Sequence, residues 1–168
     1  LRNADGTGVL AGVTRICNVH GYVMEANESR PAEGRLFYRG IDIRDLIEGC
    51  TAEDRFGFEE VVWLLLFGYL PTAEQLSGFT RLLEQHRELP EGFIEDMIIK
   101  APSPNIMNKL ARSVLALYSY DELAEDMSLE NIVRQSIELI ARVSTIMVNA
   151  YQVKKRYYDH QSLFFHTP

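Results

Sequence analysis

A mainly α-helical fold, entered through a small antiparallel β-structured region, is the class that the sequence predicts, and three observations carry it. Six of the eleven glycines and every stretch with β-strand chemistry fall within residues 1–40. From residue 41 to residue 158, apolar side chains recur at helical spacing between capping residues. The chain of 168 residues is 46% hydrophobic and 24% charged, which suits a buried core and excludes a disordered segment.

In chain order, Gly12–Ile16, Gly21–Met24 and Arg35–Tyr38 read as short strands, and Glu25–Gly34, with its Asn, Ser, Pro and Glu content, reads as the turn joining two of them. Asp42 is placed to cap a short helix, with Ile41 and Leu46 as a hydrophobic staple and Gly49 as its stop. Phe58–Phe67 has the composition of a buried strand, but Glu59 and Glu60 suit a helix N-terminus and Gly68 suits a helix end, so a helix is expected. Thr72 and Gln75 form a capping box ahead of Leu76, Phe79, Leu82 and Leu83.

Pro90 fits the first position of a helix carrying Phe93, Ile94, Met97 and Ile98, which Ala101–Pro104 interrupts. Ile106, Leu110, Val114 and Leu117 mark the next helix, and Tyr118–Ser128, with four acidic side chains, reads as an exposed connection. Ser128 caps the longest helix, whose stripe is Leu129, Ile132, Val133, Ile137, Ile140, Val143 and Met147. Leu139, Ile146 and Val148 lie off that stripe, so the helix is expected at the centre of a bundle or against another subunit. With no internal repeat and no linker, residues 1–168 read as one stretch: strands and loops over 1–40, helices over 41–158, and a tail over 159–168. Leu163, Phe164 and Phe165 give that tail the look of a chain cut within a domain.

The net charge of −7 speaks against nucleic acid as a partner, since phosphate binding needs clustered Lys and Arg. The charge is uneven: residues 1–151 carry −9 and residues 152–168 carry +2. The longest apolar run, Val61–Phe67, is far short of the ~20 residues of a membrane span, and no secretory signal pattern is present. Two cysteines are too few for a disulfide scaffold, so a reducing, cytoplasmic setting is expected.

The chemical constellations are sparse. Cys17 and His20 have C-x-x-H spacing without the second ligand pair of a zinc site, so they read as a small strand residue and a loop residue. Cys50 lies in an acidic context that raises a thiol pKa rather than activating it. His86 reads as solvated on its helix, and His160 and His166 stand in the tail. Glu59 and Glu60 read as helix N-terminal charges rather than an acid–base pair. Gly6 and Gly8 lack the strand and the Lys of a phosphate loop, and Lys154, Lys155 and Arg156 complement a helix C-terminus more simply than they bind an anion. No catalytic residue and no metal ligand emerges from spacing alone.

The blocks L-F-Y-R-G-I-D-I-R-D-L (Leu36–Leu46) and F-E-E-V-V-W-L-L-L-F-G-Y-L-P-T (Phe58–Thr72), followed by I-E-L-I-A-R-V-S-T-I (Ile137–Ile146), resemble, in the same order, the N-terminal portion of citrate synthases. Departures are Asn105-Ile106-Met107 where the family often has His-Pro-Met, and Val143-Ser144 where it has Leu-Pro. The resemblance implies a citrate-synthase-like large-domain fragment of a predominantly helical homodimer. It also implies a parent acyltransferase of the tricarboxylic acid cycle that condenses acetyl-CoA with oxaloacetate, acetyl-CoA being a substrate rather than a cofactor.

In the family an Asp takes a proton from the acetyl methyl group, two His assist at the enol and the ketone, and Arg side chains hold the carboxylates. The motifs G-P-L-H-G and G-F-G-H that carry them do not occur in this sequence, so the chain by itself is expected to be inactive. The resemblance makes Arg2, followed by Gly6 and Gly8, the counterpart of an arginine that contacts CoA phosphates in some members. In Tyr38-Arg39-Gly40 the glycine reads as a backbone requirement and Arg39 as a partner for acidic side chains. The alternatives are a 2-methylcitrate synthase, which uses propionyl-CoA, and a helical interaction module derived from the enzyme that docks a partner through Ile137–Tyr151 and the tail.

Overall fold

The structure is a computed structural model that describes residues 3–6, 14–25 and 28–164. The chain divides into two compact units, Leu1–Phe79 and Thr80–Pro168.

In the first unit, β1 (Cys17–Glu25), β2 (Glu28–Tyr38) and the short β3 (Ile41–Asp42) form an antiparallel meander in the order β1-β2-β3. Asn18 lies opposite Phe37 and His20 opposite Arg35; the register then shifts between His20 and Tyr22, at Gly21. The strand expected at Gly12–Ile16 is not formed by its described part. Thr14 Oγ1 instead accepts the Ile16 N–H at 3.0 Å, a local bond that competes with a ladder, while Gly12 and Val13 lie outside the described residues. His20, expected in a loop, is a strand residue. The turn expected over Glu25–Gly34 is also shorter, since β2 starts at Glu28. Pro31 is tolerated there because β3 pairs only with Phe37 and Tyr38, so the missing N–H breaks no central ladder.

Arg39 and Gly40 make the two-residue reversal between β2 and β3, with φ of 50° and 88°, the positive values that match hairpin twist. Asp42 then caps α1 (Ile43–Ala52). Gly49 does not stop this helix: its carbonyl accepts the Glu53 N–H at 3.3 Å, and the next residue, Cys50, is buried. That burial outweighs the ~1 kcal/mol penalty of a helical glycine. The helix α2 (Phe58–Phe67) ends as expected at Gly68, whose φ is 88°. Trp63 stacks with Phe67, Tyr69 and Phe79 at centroid distances of 4.4, 5.9 and 5.4 Å, and Leu64 is fully buried. The capping box of α3 (Ala73–Gln85) closes both ways: Thr72 N–H donates to Gln75 Oε1 at 2.9 Å, and Gln75 N–H donates to Thr72 Oγ1 at 3.2 Å. The division between the units falls within α3.

In the second unit the helix expected from Pro90 is a π-helix, Ile94–Ile99. It begins late because Gly92 has φ 74°, a left-handed turn that keeps Pro90 out of the helix; the Pro90 carbonyl accepts the Phe93 N–H at 3.0 Å. Asn105 caps α4 (Ile106–Leu117), a 3-10 turn spans Tyr118–Tyr120, and Ser128 caps α5 (Leu129–Tyr158). Phe93, Ile98, Ile146, Ala150 and Val153 make the buried core, against which Leu163 of the tail also packs. Phe164 is exposed, and Phe165 lies outside the described residues.

The stripe expected for α5 is not its buried face. Of those seven residues only Ile137 is buried, whereas Leu129 is 78% and Met147 44% exposed. The helix turns Asn131, Ile137, Ala141, Ile146, Asn149, Ala150 and Val153 inward. Apolar periodicity could not choose between two apolar faces, and polar contacts decide: Asn131 Nδ2 donates to the Leu123 carbonyl at 2.8 Å and to that of Asp126 at 2.7 Å.

Candidate functional site

Arg2 lies outside the described residues, as do Gly8 and His166. His86 is half-buried just past α3, and His160 is exposed with φ 55°. Among the described residues, no three His, Cys, Asp or Glu side chains are grouped to hold a metal ion. The polar chemistry gathers in three places in the first unit and two in the second.

The Tyr38-Arg39-Gly40 turn projects Arg39 onto α2, where Nη2 and Nε donate to the Leu65 carbonyl at 2.7 and 3.2 Å. The partner is thus a backbone oxygen at a helix C-terminus and not a carboxylate, a correction with a physical reason. The last carbonyls of a helix lack intrahelical donors, and a cation there meets the negative end of the dipole. Two residues after the turn, Asp42 accepts from the Arg44 N–H at 3.0 Å and from Arg35 Nη2 at 2.7 Å, and these donors hold its carboxyl below the usual range.

Cys50 sits beside α2, with its Sγ 3.4 Å from both Glu60 Oε2 and Arg55 Nη1, while Arg55 Nη1 donates to Glu60 at 2.9 Å. Burial and the Glu60 carboxylate push the thiol pKa up, as the acidic sequence context led us to expect, so the side chain is a poor nucleophile. Glu59 and Glu60 do occupy the first turn of α2.

An open cleft of about 520 Å3 lies beside the β1–β2 ladder, lined among others by Arg15, Asn18, His20, Phe37 and Gly40. The His20 ring meets Phe37 edge-on at 5.7 Å, and the Arg35 guanidinium lies 4.8 Å from the same ring centroid.

In the second unit, Lys109 of α4 is 3% exposed, and its ammonium donates to the Met97 carbonyl and, at 2.9 Å, to that of Ala101. Sequence reasoning missed it, although a Lys between Ile106 and Leu110 on the apolar face of a helix was the available signal. In a π-helix the Met97 carbonyl would bond residue 102, but Pro102 has no N–H, and Lys109 supplies the donor. Burial, with Arg112 adding to it, lowers the Lys109 pKa.

A second cavity, of about 320 Å3, is walled by α4, the acidic connection and α5. Beside it runs an ion-pair ladder in which Arg134 bridges Asp121 at 2.8 Å and Glu138 at 2.9 Å, and Arg142 meets Glu138 at 3.1 Å. The Gln135 amide and Arg134 hold the Asp121 carboxyl below its usual range. Lys155 and Arg156 occupy the last turn of α5, as the charge pattern led us to expect.

Comparison with known proteins gives these features a setting. Residues 6–166 match the family model "Citrate synthase, C-terminal domain". A citrate synthase of Saccharolobus solfataricus is 28% identical over 123 residues, covering 73% of this chain and 30% of that protein. The 2-methylcitrate synthase 1 of Corynebacterium glutamicum is 33% identical over 129 residues, covering 75% of this chain and 31% of that protein. The chain therefore spans about 30% of the length of these curated relatives. Among solved structures, citrate synthase from Pyrobaculum aerophilum superposes with a TM-score of 0.67 at 25% identity, over 93% of this chain and 39% of that one. Citrate synthase from Thermoplasma acidophilum, in a ternary complex with carboxymethyl coenzyme A and oxaloacetate, gives the same TM-score at 20% identity, over 94% and 36%.

Proposed function

The chain belongs to the citrate synthase family, and from that premise we propose that it is the N-terminal portion of an acyltransferase that condenses acetyl-CoA with oxaloacetate, releasing citrate and CoA. The observation that carries this reading is the family match over residues 6–166, joined to a shared fold. The matching model is named for the C-terminal domain; we take the order of the three sequence blocks, Leu36–Leu46, Phe58–Thr72 and Ile137–Ile146, as the guide to position.

In this reading the chain supplies scaffold rather than reacting groups. The Arg39 tether, the Asp42 cap and the Lys109 donor fix helix ends, and an Asp, two His and carboxylate-holding Arg come from sequence beyond these residues. Arg2 remains the candidate contact for a CoA phosphate, through the charge-assisted hydrogen bonds that suit a guanidinium. The isolated chain is expected to release no CoA from acetyl-CoA and oxaloacetate above a buffer blank; measurable turnover would overturn that. The intact protein should release CoA at a rate that depends on oxaloacetate.

The second reading, a 2-methylcitrate synthase, is consistent with the 33% identity to such an enzyme. Parallel assays of the intact protein with acetyl-CoA and propionyl-CoA decide between them by kcat/KM.

The reading also places the protein in a homodimer in the cytoplasm. The uncovered apolar face of α5, with Leu129, Ile132, Val133 and Met147 exposed, supports the first, and two free cysteines support the second. No helix among the described residues is long and apolar enough to cross a membrane. Sedimentation of the intact protein should give a dimer that Val133→Lys weakens. A chain that stays monomeric and binds no hydrophobic dye would remove support for the dimer and for the interaction-module alternative together.

A further inference from the structure

Among the described residues, Phe56 is the most exposed large apolar side chain, at 95%. A ring so exposed would suit a loose loop, yet the loop that carries Phe56 is fastened on both flanks. The Asp54 and Arg55 N–H groups donate to the Thr51 and Cys50 carbonyls at 3.2 and 3.1 Å, and Asp54 takes a left-handed φ of 50°. The Arg55 guanidinium holds Glu53 and, at 2.9 Å, Glu60, with Cys50 Sγ 3.4 Å away. Gly57 is seated against Cys50, where a Cβ would fall 2.6 Å from Sγ. The ring is thus presented by a pre-organised loop, which lowers the ordering cost of docking it. Its surroundings are acidic: residues 48–60 carry five Asp and Glu against one Arg.

The surface that fits such a knob is an aromatic slot edged by cations, and α5 ends in one. Tyr151, Lys154, Lys155 and Tyr158 recur at i, i+3, i+4 and i+7, so they share one face of its last two turns. The Lys155 ammonium lies 5.6 Å from the Tyr151 ring centroid, and Asp159 holds Lys154 at 3.1 Å. Tyr151 and Tyr158 are 50% and 44% exposed. Residues 151–158 hold three cations and no acid, in a chain of net charge −7. Aromatic rings pack edge-on or offset against one another, an ammonium is drawn to a ring face, and opposite charges around the contact set its orientation. This face lies C-terminal to Leu129–Met147, the stretch of α5 assigned to the dimer.

We propose that Phe56 of one copy of this chain docks on the Tyr151–Lys155–Tyr158 face of a second copy, its acidic loop pairing with Lys154 and Lys155. Knob and slot are different surfaces, so the contact is heterologous: each copy gives its Phe56 to one neighbour and receives that of another.

The test is sedimentation velocity of the full chain over a concentration series, in a Val133→Lys background that weakens the α5 dimer. Self-association is expected at low salt and falls as salt screens the charge pairs. Phe56→Ser and Lys155→Glu should each weaken it at least ~10-fold, the effect of losing an aromatic anchor or reversing a contact charge. Tyr158→Ala repeats the test of the slot without a change of charge. None of the three side chains is buried, and circular dichroism checks that the variants stay folded. Mixing decides the geometry: Phe56→Ser keeps a slot and Lys155→Glu keeps a knob, so the two together should form a 1:1 complex and nothing larger. Docking of Phe56 within its own chain would leave a monomer at every concentration and overturn the proposal. So would association that Phe56→Ser leaves unchanged, or two variants that stay apart when mixed.

Discussion

The guanidinium of Arg39 holds the Leu65 carbonyl through two hydrogen bonds, of 2.7 and 3.2 Å, across 26 residues of sequence. A hairpin turn is thereby tied to the C-terminus of α2, whose last carbonyls otherwise lack donors. Hydrogen bonds to a charged group contribute about 1.5–3 kcal/mol, so Arg39→Ala should destabilise the chain by about that much in urea unfolding at pH 7. Arg39→Lys should recover part of the loss, because an ammonium still meets the helix dipole but lacks the planar fork. Equal losses in both variants would show that the fork itself carries the whole effect, and no loss in either would show the tether to be idle.

What the sequence made legible is what is local. Asp42 and Ser128 accept from backbone N–H groups within three residues, and Gly68 reverses the chain where a left-handed φ is needed. Tertiary partners were illegible for a physical reason: the carbonyl that Arg39 seeks and the π-helix end that Lys109 fills are defined only once the chain has folded. At the candidate site, the C-x-x-H pair drew attention to His20, but the cross-strand position of Phe37, which gives that histidine its setting, follows from a register shift at Gly21 that composition does not encode.

Lys109 is a buried ammonium whose donor role answers a proline. Lys109→Met removes it and leaves the Met97 and Ala101 carbonyls short of a donor, a loss of about 1–3 kcal/mol. The pH dependence has a definite sign. The unfolded lysine titrates near ~10.4, and the folded one titrates lower because it is buried. Between the two values the unfolded chain binds more protons, so stability gained from this group rises with pH through that window and is lost as pH falls through the folded value. Urea titrations across the alkaline range should show this slope in the wild type and a flatter one in Lys109→Met; identical slopes would remove the lysine as its source.

Cys50 and Gly57 are matched in size. A Cβ built at Gly57 falls 2.6 Å from Cys50 Sγ, although the φ of −104° at Gly57 would accept any residue. Gly57→Ala should therefore destabilise through overpacking, by about 1–3 kcal/mol, and adding Cys50→Ala should restore part of it. Iodoacetamide at neutral pH should modify the exposed Cys17 first and reach Cys50 only on unfolding, since the latter is buried beside Glu60. Equal modification rates in the folded chain would contradict this packing.

The orientation of α5 is the sharpest structural test, because two neighbouring residues exchange roles between the apolar stripe and the observed face. Met147 belongs to the stripe and is 44% exposed; Ile146 lies off it and is fully buried against Phe93, Ile98 and Val153. Truncating a buried Ile leaves a cavity in a packed core, so Ile146→Ala should lower stability by about 2–5 kcal/mol. Met147→Ala should stay within about 0.5 kcal/mol when unfolding is measured on the monomeric species. The reverse ranking would mean that the helix is rotated by about 100°, the angle per residue of an α-helix, which would place Asn131 and Asn149 outside the core. That rotation would also break the bonds from Asn131 to the Leu123 and Asp126 carbonyls, so Asn131→Leu separates the two orientations. It should destabilise if Asn131 is buried as observed and leave stability nearly unchanged if that face points to solvent.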